Sequence, residues 1–278
     1  MAGQSKIKRY RRLVQAAVFM MMFIIPALNI LEIYFIKGTF YSIDVGNAVA
    51  ADPIAVFQAA MSSKSVNIYM ALSVVIPILL MLFAGRVWCS WMCPYHFIVE
   101  GVSFVKRKLG MKKSFPVHTP EKKRRTETAR LIILVCFIAL AGVAGIPLLN
   151  LISAPGIISS QALVLVKFHY VTFELVFIIA LIIAEFVFFP FFWCRLFCPT
   201  GTFLSLFKSE RGMHLQRVSS SCSMCGSCKR ACPMGLDPVT DGSSLLCHNC
   251  GDCIDVCPDN KKQETLRFIS GRQHNFPS

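Results

Sequence analysis

Long apolar runs separated by polar segments dominate the first three quarters of the chain. A helix needs about 20 apolar residues to cross roughly 30 Å of hydrocarbon, and four runs are long enough. They cover approximately residues 13–36, 66–84, 131–152 and 171–193. Pro26, Pro77 and Pro147 lie inside three of them, as membrane helices tolerate. The pattern therefore predicts four transmembrane helices.

Composition agrees with this pattern. Hydrophobic residues make up 55% of the chain and charged residues only 16%, and the mean hydropathy is +0.57, which indicates a membrane protein rather than a large soluble core. Arg11-Arg12 before an apolar run resembles an export signal, and Ala48-Val49-Ala50 resembles a cleavage site. The apolar run is too long for a signal sequence, however, and the alanine triplet lies well beyond it. We expect the first helix to be retained.

The net charge of +14 is unevenly distributed. Five Lys or Arg residues precede the first run, eleven lie between Arg86 and Arg130, and ten follow the fourth run. The two other connections hold only Lys37, Lys64 and Lys167. The positive-inside rule then places both termini and the middle connection in the cytoplasm. The basic excess is a topology signal that also suits anionic lipid, and it does not indicate nucleic-acid binding.

The C-terminal region contains the same cysteine spacing twice. Each copy reads C-x2-C-x2-C-x3-C-P, the spacing of a two-cluster ferredoxin, in which the fourth cysteine of one run ligates the other run's cluster. Zinc knuckles or disulfides are the alternative, but zinc sites use a different ligand spacing. Exposed thiolates also suit a reducing cytoplasm. The predicted ligands of the first [4Fe-4S] cluster are Cys222, Cys225, Cys228 and Cys257. Those of the second are Cys247, Cys250, Cys253 and Cys232.

A second repeat lies in the apolar part of the chain. The second and fourth runs both end in W-C-x3-C-P, with C-x3-C-P at residues 89–94 and 194–199. Asp52-Pro53 precedes the second run much as Ala154-Pro155 precedes the fourth. Each half is therefore predicted to be a helical hairpin. Both halves run in the same direction, so an axis relating them would lie along the membrane normal.

The paired cysteines of this repeat are candidate metal ligands. Residues at positions i and i+4 share one face of a helix. Two such faces brought together would present four thiolates to a third iron–sulfur cluster or another metal. The alternatives are packing of small side chains or a redox-active dithiol pair. No C-x2-C-H motif indicates a c-type haem. The four candidates are Cys89, Cys93, Cys194 and Cys198.

Ionisable residues in the apolar runs are candidates for quinone and proton chemistry. Glu185 lies inside the fourth run, where an ionisable group is costly and usually functional. His169 and Glu174 lie at the outer end of that run, and His96 follows the first C-x3-C-P motif. A quinol loses two protons with its two electrons, so a carboxylate or an imidazole could accept a proton. The alternative is a carboxylate that packs helices, or outer groups in water.

The apolar runs, the twin motifs and the paired tetrads together resemble the NapH family of membrane ferredoxin-type proteins. The resemblance extends to the NosR-type and MauN-type proteins, which share the twin C-x3-C-P motif. It implies a membrane component of a quinol dehydrogenase for periplasmic nitrate reductase, in a bacterial inner membrane. Quinol would be the donor, and the partners would be other redox subunits of iron–sulfur or cytochrome c type. The membrane cysteines and the eight tail cysteines carry the resemblance.

These observations predict an all-α membrane bundle of four transmembrane helices followed by a small α+β two-cluster ferredoxin-like domain. The expected divisions are a basic N-terminus at 1–12, a membrane domain at 13–212 and a cytoplasmic domain at 213–278. The expected function is membrane-bound electron transfer that oxidises quinol, as an oxidoreductase subunit of a complex. The alternative is an electron donor for maturation or reactivation of a metalloenzyme. A purely structural adaptor is the third hypothesis.

Overall fold

The computed structural model describes residues 6–31, 37–39, 42–45, 48–111, 117–144, 149, 152–209, 212–217 and 222–271. These residues are mostly helical. The first half contains α1 (Lys6–Ile30), β1 (Lys37–Thr39), β2 (Ser42–Val45), β3 (Ala48–Ala51), α2 (Pro53–Ser63), α3 (Ile68–Ala84) and α4 (Pro94–Lys108). The second contains α5 (Pro120–Ala144), α6 (Ala154–Phe168), α7 (Glu174–Val187), α8 (Phe192–Leu196) and α9 (Pro199–Leu206). The first three strands form an antiparallel sheet in the order β1-β2-β3.

The helices α2 and α6 occupy equivalent places in the two halves. Each begins beside a proline that suits the first helical turn, and each has a side-chain cap: Asp52 accepts from the Ile54 amide, and Ser153 accepts from the Gly156 amide. Each also ends on a left-handed residue, with φ of 50° at Lys64 and 54° at His169. The two halves thus share the local structure that the Asp52-Pro53 and Ala154-Pro155 pairs predict.

Two helices have the length and composition to cross a membrane, namely α1 (25 residues) and residues Pro120–Val143 of α5 (24 residues). The helices α3 and α6 are shorter and apolar, and α7 has 14 residues, which at 1.5 Å per residue is about 21 Å long. Residues 32–36, 145–148, 150 and 151 of the expected spans lie outside the described residues. The two long helices favour a membrane protein, and the four-span layout stays a prediction.

Large apolar side chains cover much of the outside of these helices. Leu72 on α3, Ile132 on α5 and Val176 on α7 are each more than half exposed. The buried core lies between α4, α6 and α7, where Tyr95 and Phe191 pack together with other apolar side chains. Large apolar side chains exposed on several helices mark a surface that lipid or a partner protein covers.

The i, i+4 argument assumed that each cysteine pair lies at the end of a continuous α-helix. The structure does not have this arrangement for either pair. Gly85, with φ of 65°, ends α3, and Cys89 lies in a separate π-helical turn, Trp88–Met92. Cys194 similarly lies in the short helix α8. Cys93 and Cys198 each precede a proline and have extended backbones, with ψ of 120° and 109°. The cause is the following proline, which disfavours helical backbone in the residue before it.

The tail is a small α+β unit. It consists of β4 (His214–Arg217), α10 (Ser227–Ala231), α11 (Asp252–Asp255), a 3-10 turn (Asp259–Lys261) and β5 (Leu266–Ile269). The strand β4 pairs antiparallel with β5, with His214 opposite Ile269. Leu215, Leu266 and buried cysteines from both tetrads form one small core under this hairpin. The two tetrads are therefore parts of one folded unit.

We expect Asp52→Asn to stabilise the chain more at pH 8 than at pH 5. Burial raises the pKa of Asp52 to about 6, so ionisation of this group opposes folding once the pH exceeds the unfolded pKa of about 3.9. Asparagine keeps the cap on the Ile54 amide without the charge. The expected gain in free energy of unfolding is roughly 3 kcal/mol at pH 8 and about half of that at pH 5.

Chemical unfolding of detergent-solubilised protein at the two pH values measures this difference. Asn67→Ser is a matched control, because Asn67 caps α3 by accepting from the Tyr69 amide and carries no ionisable group. Its effect should be the same at both pH values. A gain for Asp52→Asn that does not grow with pH would contradict the assigned shift.

Candidate functional site

The two tail tetrads have the same local backbone. Met224 and Asn249 are left-handed, with φ of 52° and 53°. Gly226 and Gly251 are also left-handed, with φ of 68° and 78°, and each precedes a short helix. This pattern curls each C-x2-C-x2-C loop around its own interior. The loop repeats the same geometry because the two sequences place these residues at the same offsets from their cysteines.

The eight tail cysteines line two cavities in the crossed arrangement that the spacing predicts. One cavity, of about 240 Å³, is lined by Cys222, Cys225, Cys228 and Cys257. The other is lined by Cys232, Cys247, Cys250 and Cys253. In each case the fourth cysteine of one run joins the first three of the other. We call these the first and the second tail cavity.

The four cysteines of the C-x3-C-P motifs line a third cavity, although they come from opposite halves of the chain. We call it the membrane-side cavity. Its walls are formed by Arg86, Trp88, Cys89, Cys93, Tyr95, His96, Pro155, Cys194, Cys198, Thr200, Gly201, Met234 and His248. Met234 and His248 also line the second tail cavity. Two side chains thus separate the membrane-side thiols from the second tetrad.

Two buried histidines, His96 and His248, line this cavity. The amide of Gln15 lies 3.1 Å from Nδ1 of His96, which makes Nδ1 the acceptor and leaves the proton on Nε2. Nε2 of His96 and Nε2 of His248 are both buried without a hydrogen-bond partner among the described residues. Burial lowers the pKa of both imidazoles well below the usual value. A neutral imidazole N–H group such as that of His96 suits the sulfur atoms of a cluster, whose potential responds to such bonds.

The described thiols are not arranged around a single metal ion. Tetrahedral zinc with Zn–S bonds of about 2.3 Å holds its sulfurs roughly 3.8 Å apart. In the described part of the chain, no three Cys, His, Asp or Glu side chains approach closely enough to hold one metal ion. The cysteines instead form walls around a space. Burial raises the pKa of the Cys93 and Cys198 thiols, so their deprotonation requires positive charge from a metal centre or from arginine.

The tail is docked on the first C-x3-C-P turn by hydrogen bonds to its backbone. The Ser90 hydroxyl donates to the His248 carbonyl at 2.6 Å, and the Trp91 indole donates to the Asn249 carbonyl at 3.3 Å. The Asn249 amide donates in turn to the carbonyls of Ala84 and Met213, at 3.1 and 2.8 Å. The loop that carries the second tetrad therefore rests directly on the turn that carries Cys89.

Arg11 joins three parts of the molecule. Its side chain is fully buried and donates to the Cys250 carbonyl at 2.5 Å, to Asp252 at 3.2 Å and to Glu100. These partners belong to the second tetrad, α11 and α4. Because the guanidinium has carboxylates on two sides, its burial is compensated. The ion pairs fix the second tail cavity against α1.

Glu185 is buried beside the second C-x3-C-P turn. It accepts hydrogen bonds from the Tyr95 hydroxyl at 2.9 Å, the Phe192 amide at 2.8 Å and the Trp193 amide at 3.0 Å. These bonds satisfy the N-terminal amides of α8, the helix that contains Cys194. The geometry therefore matches the alternative that the sequence left open, in which this carboxylate positions a helix.

The structure does not bring His169 and Glu174 near Glu185. His169 is exposed and ends α6, whereas Glu174 is half-buried and begins α7. Eleven residues of helix separate Glu174 from Glu185, which corresponds to about 16 Å. The Ser160 hydroxyl lies 3.5 Å from the Glu174 carboxylate. The candidate proton residues thus occupy opposite ends of α7.

Sequence reasoning missed the functional surroundings of the membrane-side cavity. Arg86 and Arg130 were assigned to topology because they flank apolar runs, yet both are almost fully buried. No sequence pattern marks Gln15 and His248 as neighbours of this cavity, because the residues that they contact are distant along the chain. A position immediately beside an apolar run and close to a C-x3-C-P motif is the one signal that singles out Arg86.

Comparisons with known proteins agree with this picture. The sequence model of a 4Fe-4S binding domain matches residues 66–112 and 170–215, and each match includes one C-x3-C-P motif. An uncharacterised protein of Methanocaldococcus jannaschii is 28% identical over 70% of this chain and 76% of its own length. The ferredoxin-type protein NapH of Escherichia coli is 25% identical over 79% and 76%. The methylamine utilization ferredoxin-type protein MauN of Methylorubrum extorquens is 24% identical over 87% and 84%. No solved structure matches significantly.

The fold, the clustered cysteines and these matches define an iron–sulfur electron-transfer protein. More closely, the chain is similar to the ferredoxin-type proteins NapH and MauN, as the motifs indicated. The two long apolar helices favour a membrane location.

We expect Arg11→Met to destabilise the chain by about 3–5 kcal/mol, because it removes the fully buried cation that lies between Glu100 and Asp252. Arg12→Met is the matched control: its side chain is 42% exposed and pairs with Glu100 at 3.3 Å, so its loss should cost less than about 1 kcal/mol. Chemical unfolding of the cluster-loaded protein measures both. Equal losses of unfolding free energy in the two variants would contradict the conclusion that Arg11 is the main cation between Glu100 and Asp252.

Proposed function

We propose that this protein is a membrane-bound iron–sulfur electron-transfer subunit that oxidises quinol and passes the electrons to a partner. The observation that carries the proposal is the membrane-side cavity. Four cysteines from both halves of the chain line it, and it shares Met234 and His248 with the second tail cavity. A redox centre there would lie beside the tail clusters and next to the apolar part of the molecule.

The tail is proposed to hold two [4Fe-4S] clusters. The first would be bound by Cys222, Cys225, Cys228 and Cys257, and the second by Cys247, Cys250, Cys253 and Cys232, as the cavities support. Cys89, Cys93, Cys194 and Cys198 would hold a third iron–sulfur centre. Such centres accept and donate single electrons over a wide range of potentials. The protein's own residues position them and exclude water from the inner two.

The proposed topology has four membrane spans and cytoplasmic termini. The basic residues before the first apolar run, between the second and third runs, and after the fourth run support it through the positive-inside rule. In this arrangement all three cavities lie toward the cytoplasmic side of a bacterial inner membrane. Quinol would arrive from the lipid phase, to which the outer faces of α1, α3, α5 and α7 would be exposed.

Oxidation of one quinol releases two electrons and two protons. The electrons would enter the iron–sulfur centres one at a time. Of the residues advanced for proton transfer, His169 is exposed and Glu174 is half-buried, so both can exchange protons with water. Glu185 is occupied by three hydrogen bonds, which supports positioning of Cys194. The acceptor would be another redox subunit, of iron–sulfur or cytochrome c type, in a respiratory chain of the nitrate-reductase type.

A donor role in maturation or reactivation of a metalloenzyme is the second candidate. The similarity to methylamine utilization ferredoxin-type proteins favours it. So does the exposure of Cys225 at the first tail cavity, because an exposed cluster edge can reduce a soluble partner. This role needs the same three centres but a different donor.

Anaerobic mixing of the cluster-loaded chain with a menaquinol analogue tests the first candidate. Fast bleaching of the iron–sulfur absorbance, followed by electron paramagnetic resonance, is the expected result. Reduction by dithionite but not by quinol would contradict quinol oxidation by this chain alone. That outcome would leave the maturation role as the better account.

We expect Cys89→Ser and Cys194→Ser each to slow quinol-dependent reduction of the tail clusters at least about tenfold, because each removes one thiolate of the membrane-side centre. The dithionite-reduced signals of the two tail clusters should remain. Cys136→Ser is the matched control, since Cys136 is exposed on α5 and lines none of the three cavities. Unchanged quinol kinetics in both site variants would exclude a centre at these cysteines from the path.

A further inference from the structure

Two arginines lie buried beside the membrane-side cavity. Arg86 is 2% exposed and Arg130 is 3% exposed. Arg86 donates from Nη1 to the Leu245 carbonyl at 2.6 Å, and its Nη2 lies 3.9 Å from the Cys89 sulfur. Arg130 donates from Nε to the Thr202 hydroxyl at 3.0 Å. Its Nη1 and Nη2 are buried without a hydrogen-bond partner in the part of the chain that is described.

Both guanidinium groups converge on the second C-x3-C-P turn. A Cβ atom placed on Gly201 would lie 3.0 Å from Nη2 of Arg86 and 3.6 Å from Nη2 of Arg130. The same point lies 3.5 Å from the Cys198 sulfur. Two like charges therefore face one small volume next to Cys198, and the absence of a side chain at Gly201 leaves that volume free.

No carboxylate of the described residues forms an ion pair with either arginine. Among the described residues, none of the ion pairs involves Arg86 or Arg130. Arg11, by contrast, is buried with carboxylates within reach. Buried charge without a counter-charge costs several kcal/mol per ion. The nearby carboxylate of Glu185 lies on the Cys194 side and is occupied by Tyr95 and backbone amides.

A thiolate-bound iron–sulfur centre would provide the missing anion. Four cysteine thiolates carry more negative charge than an iron–sulfur core carries positive charge, so the whole centre is an anion. Reduction adds one further negative charge. Adjacent cations therefore stabilise the reduced form more than the oxidised form and raise the potential, since net charge and hydrogen bonds set cluster potentials.

We propose that Arg86 and Arg130 are the counter-charges of the membrane-side iron–sulfur centre, and that they raise its midpoint potential so that it can accept electrons from quinol. This inference rests on the third centre assigned under the proposed function. The tail cavities differ in this respect. Asp237 and Asp259 line the first and Asp241 lines the second, whereas no aspartate or glutamate lines the membrane-side cavity among the residues described.

The test is a redox titration of the cluster-loaded chain with dithionite and mediators, monitored by electron paramagnetic resonance. The signal that Cys89→Ser removes identifies the membrane-side centre. We expect Arg86→Gln and Arg130→Gln each to lower its midpoint potential. At a fixed potential the ratio of reduced to oxidised centre should fall about tenfold, which corresponds to about 59 mV for one electron. The tail-cluster potentials should not change.

Two further variants separate charge from shape. Arg86→Lys and Arg130→Lys keep a cation and should retain most of the potential. Arg125→Gln is the matched control on α5, because Arg125 is exposed and pairs only with Glu121 among the described residues. It should leave all potentials unchanged. If a Gln variant fails to assemble the centre, iron content replaces the potential as the measurement. Assembly restored by Lys then supports the counter-charge, and a Lys variant as deficient as Gln overturns it.

Unchanged potentials in both Gln variants would overturn the inference. So would a wild-type chain that carries only eight irons, since no third centre would then exist. Because the titration uses dithionite, its outcome does not depend on quinol. A wild-type chain that quinol cannot reduce, but whose arginine variants still shift the potential, would contradict quinol oxidation and leave the counter-charge role intact.

Discussion

The contact between the cysteine-rich tail and the first C-x3-C-P turn is the constraint on which the rest of the site depends. Ser90 and Trp91 donate to two consecutive carbonyls of the second tetrad, at His248 and Asn249. Gly85 permits this approach, because a Cβ atom there would lie 2.6 Å from the Asn249 side chain. Buried backbone carbonyls require such partners. The tail is therefore held in one position, and two cysteine-lined cavities come to share a wall.

Buried arginines serve two purposes in this molecule. Arg11 is surrounded by Glu100, Asp252 and a carbonyl, and the geometry is that of a structural ion pair. Among the described residues, Arg86 donates to a carbonyl and lies near a cysteine sulfur, and Arg130 donates to a hydroxyl. The same side chain thus joins α1 to the tail in one place and leaves a charge facing thiols in another. The difference is that α4 and α11 place carboxylates next to Arg11, whereas a carbonyl, a sulfur and a hydroxyl lie next to the other two arginines.

The three cavities form a series with different surroundings at its two ends. The first tail cavity includes exposed Cys225, and the membrane-side cavity lies next to helices whose outer faces are apolar. The second tail cavity lies between them, and His248 and Met234 separate it from the membrane-side cavity. Such a series suits a relay in which no large movement of the protein is needed.

The sequence predicted the features that depend on local spacing. The crossed grouping of the tail cysteines follows from C-x2-C-x2-C-x3-C-P, and the repeated halves follow from helices with a proline in the first turn, such as α2 and α6. The prediction that Cys89 and Cys93 share one continuous helical face was wrong, because Pro94 disfavours helical backbone at Cys93, which is extended. Glu185 was a candidate for proton transfer because it lies inside an apolar run. In the structure its carboxylate accepts hydrogen bonds from the N-terminal amides of α8.

The surroundings of the membrane-side cavity were decided by tertiary structure alone. Ser90 and His248 are 158 positions apart, and Arg130 meets Thr202 across 72 positions. Spacing along a chain fixes which residues share a turn, since covalent geometry and backbone hydrogen bonds act over a few residues. Which turn faces which depends on how whole helices pack. The sequence thus determined the candidate ligands and their grouping, and the fold determined the charges and donors placed around them.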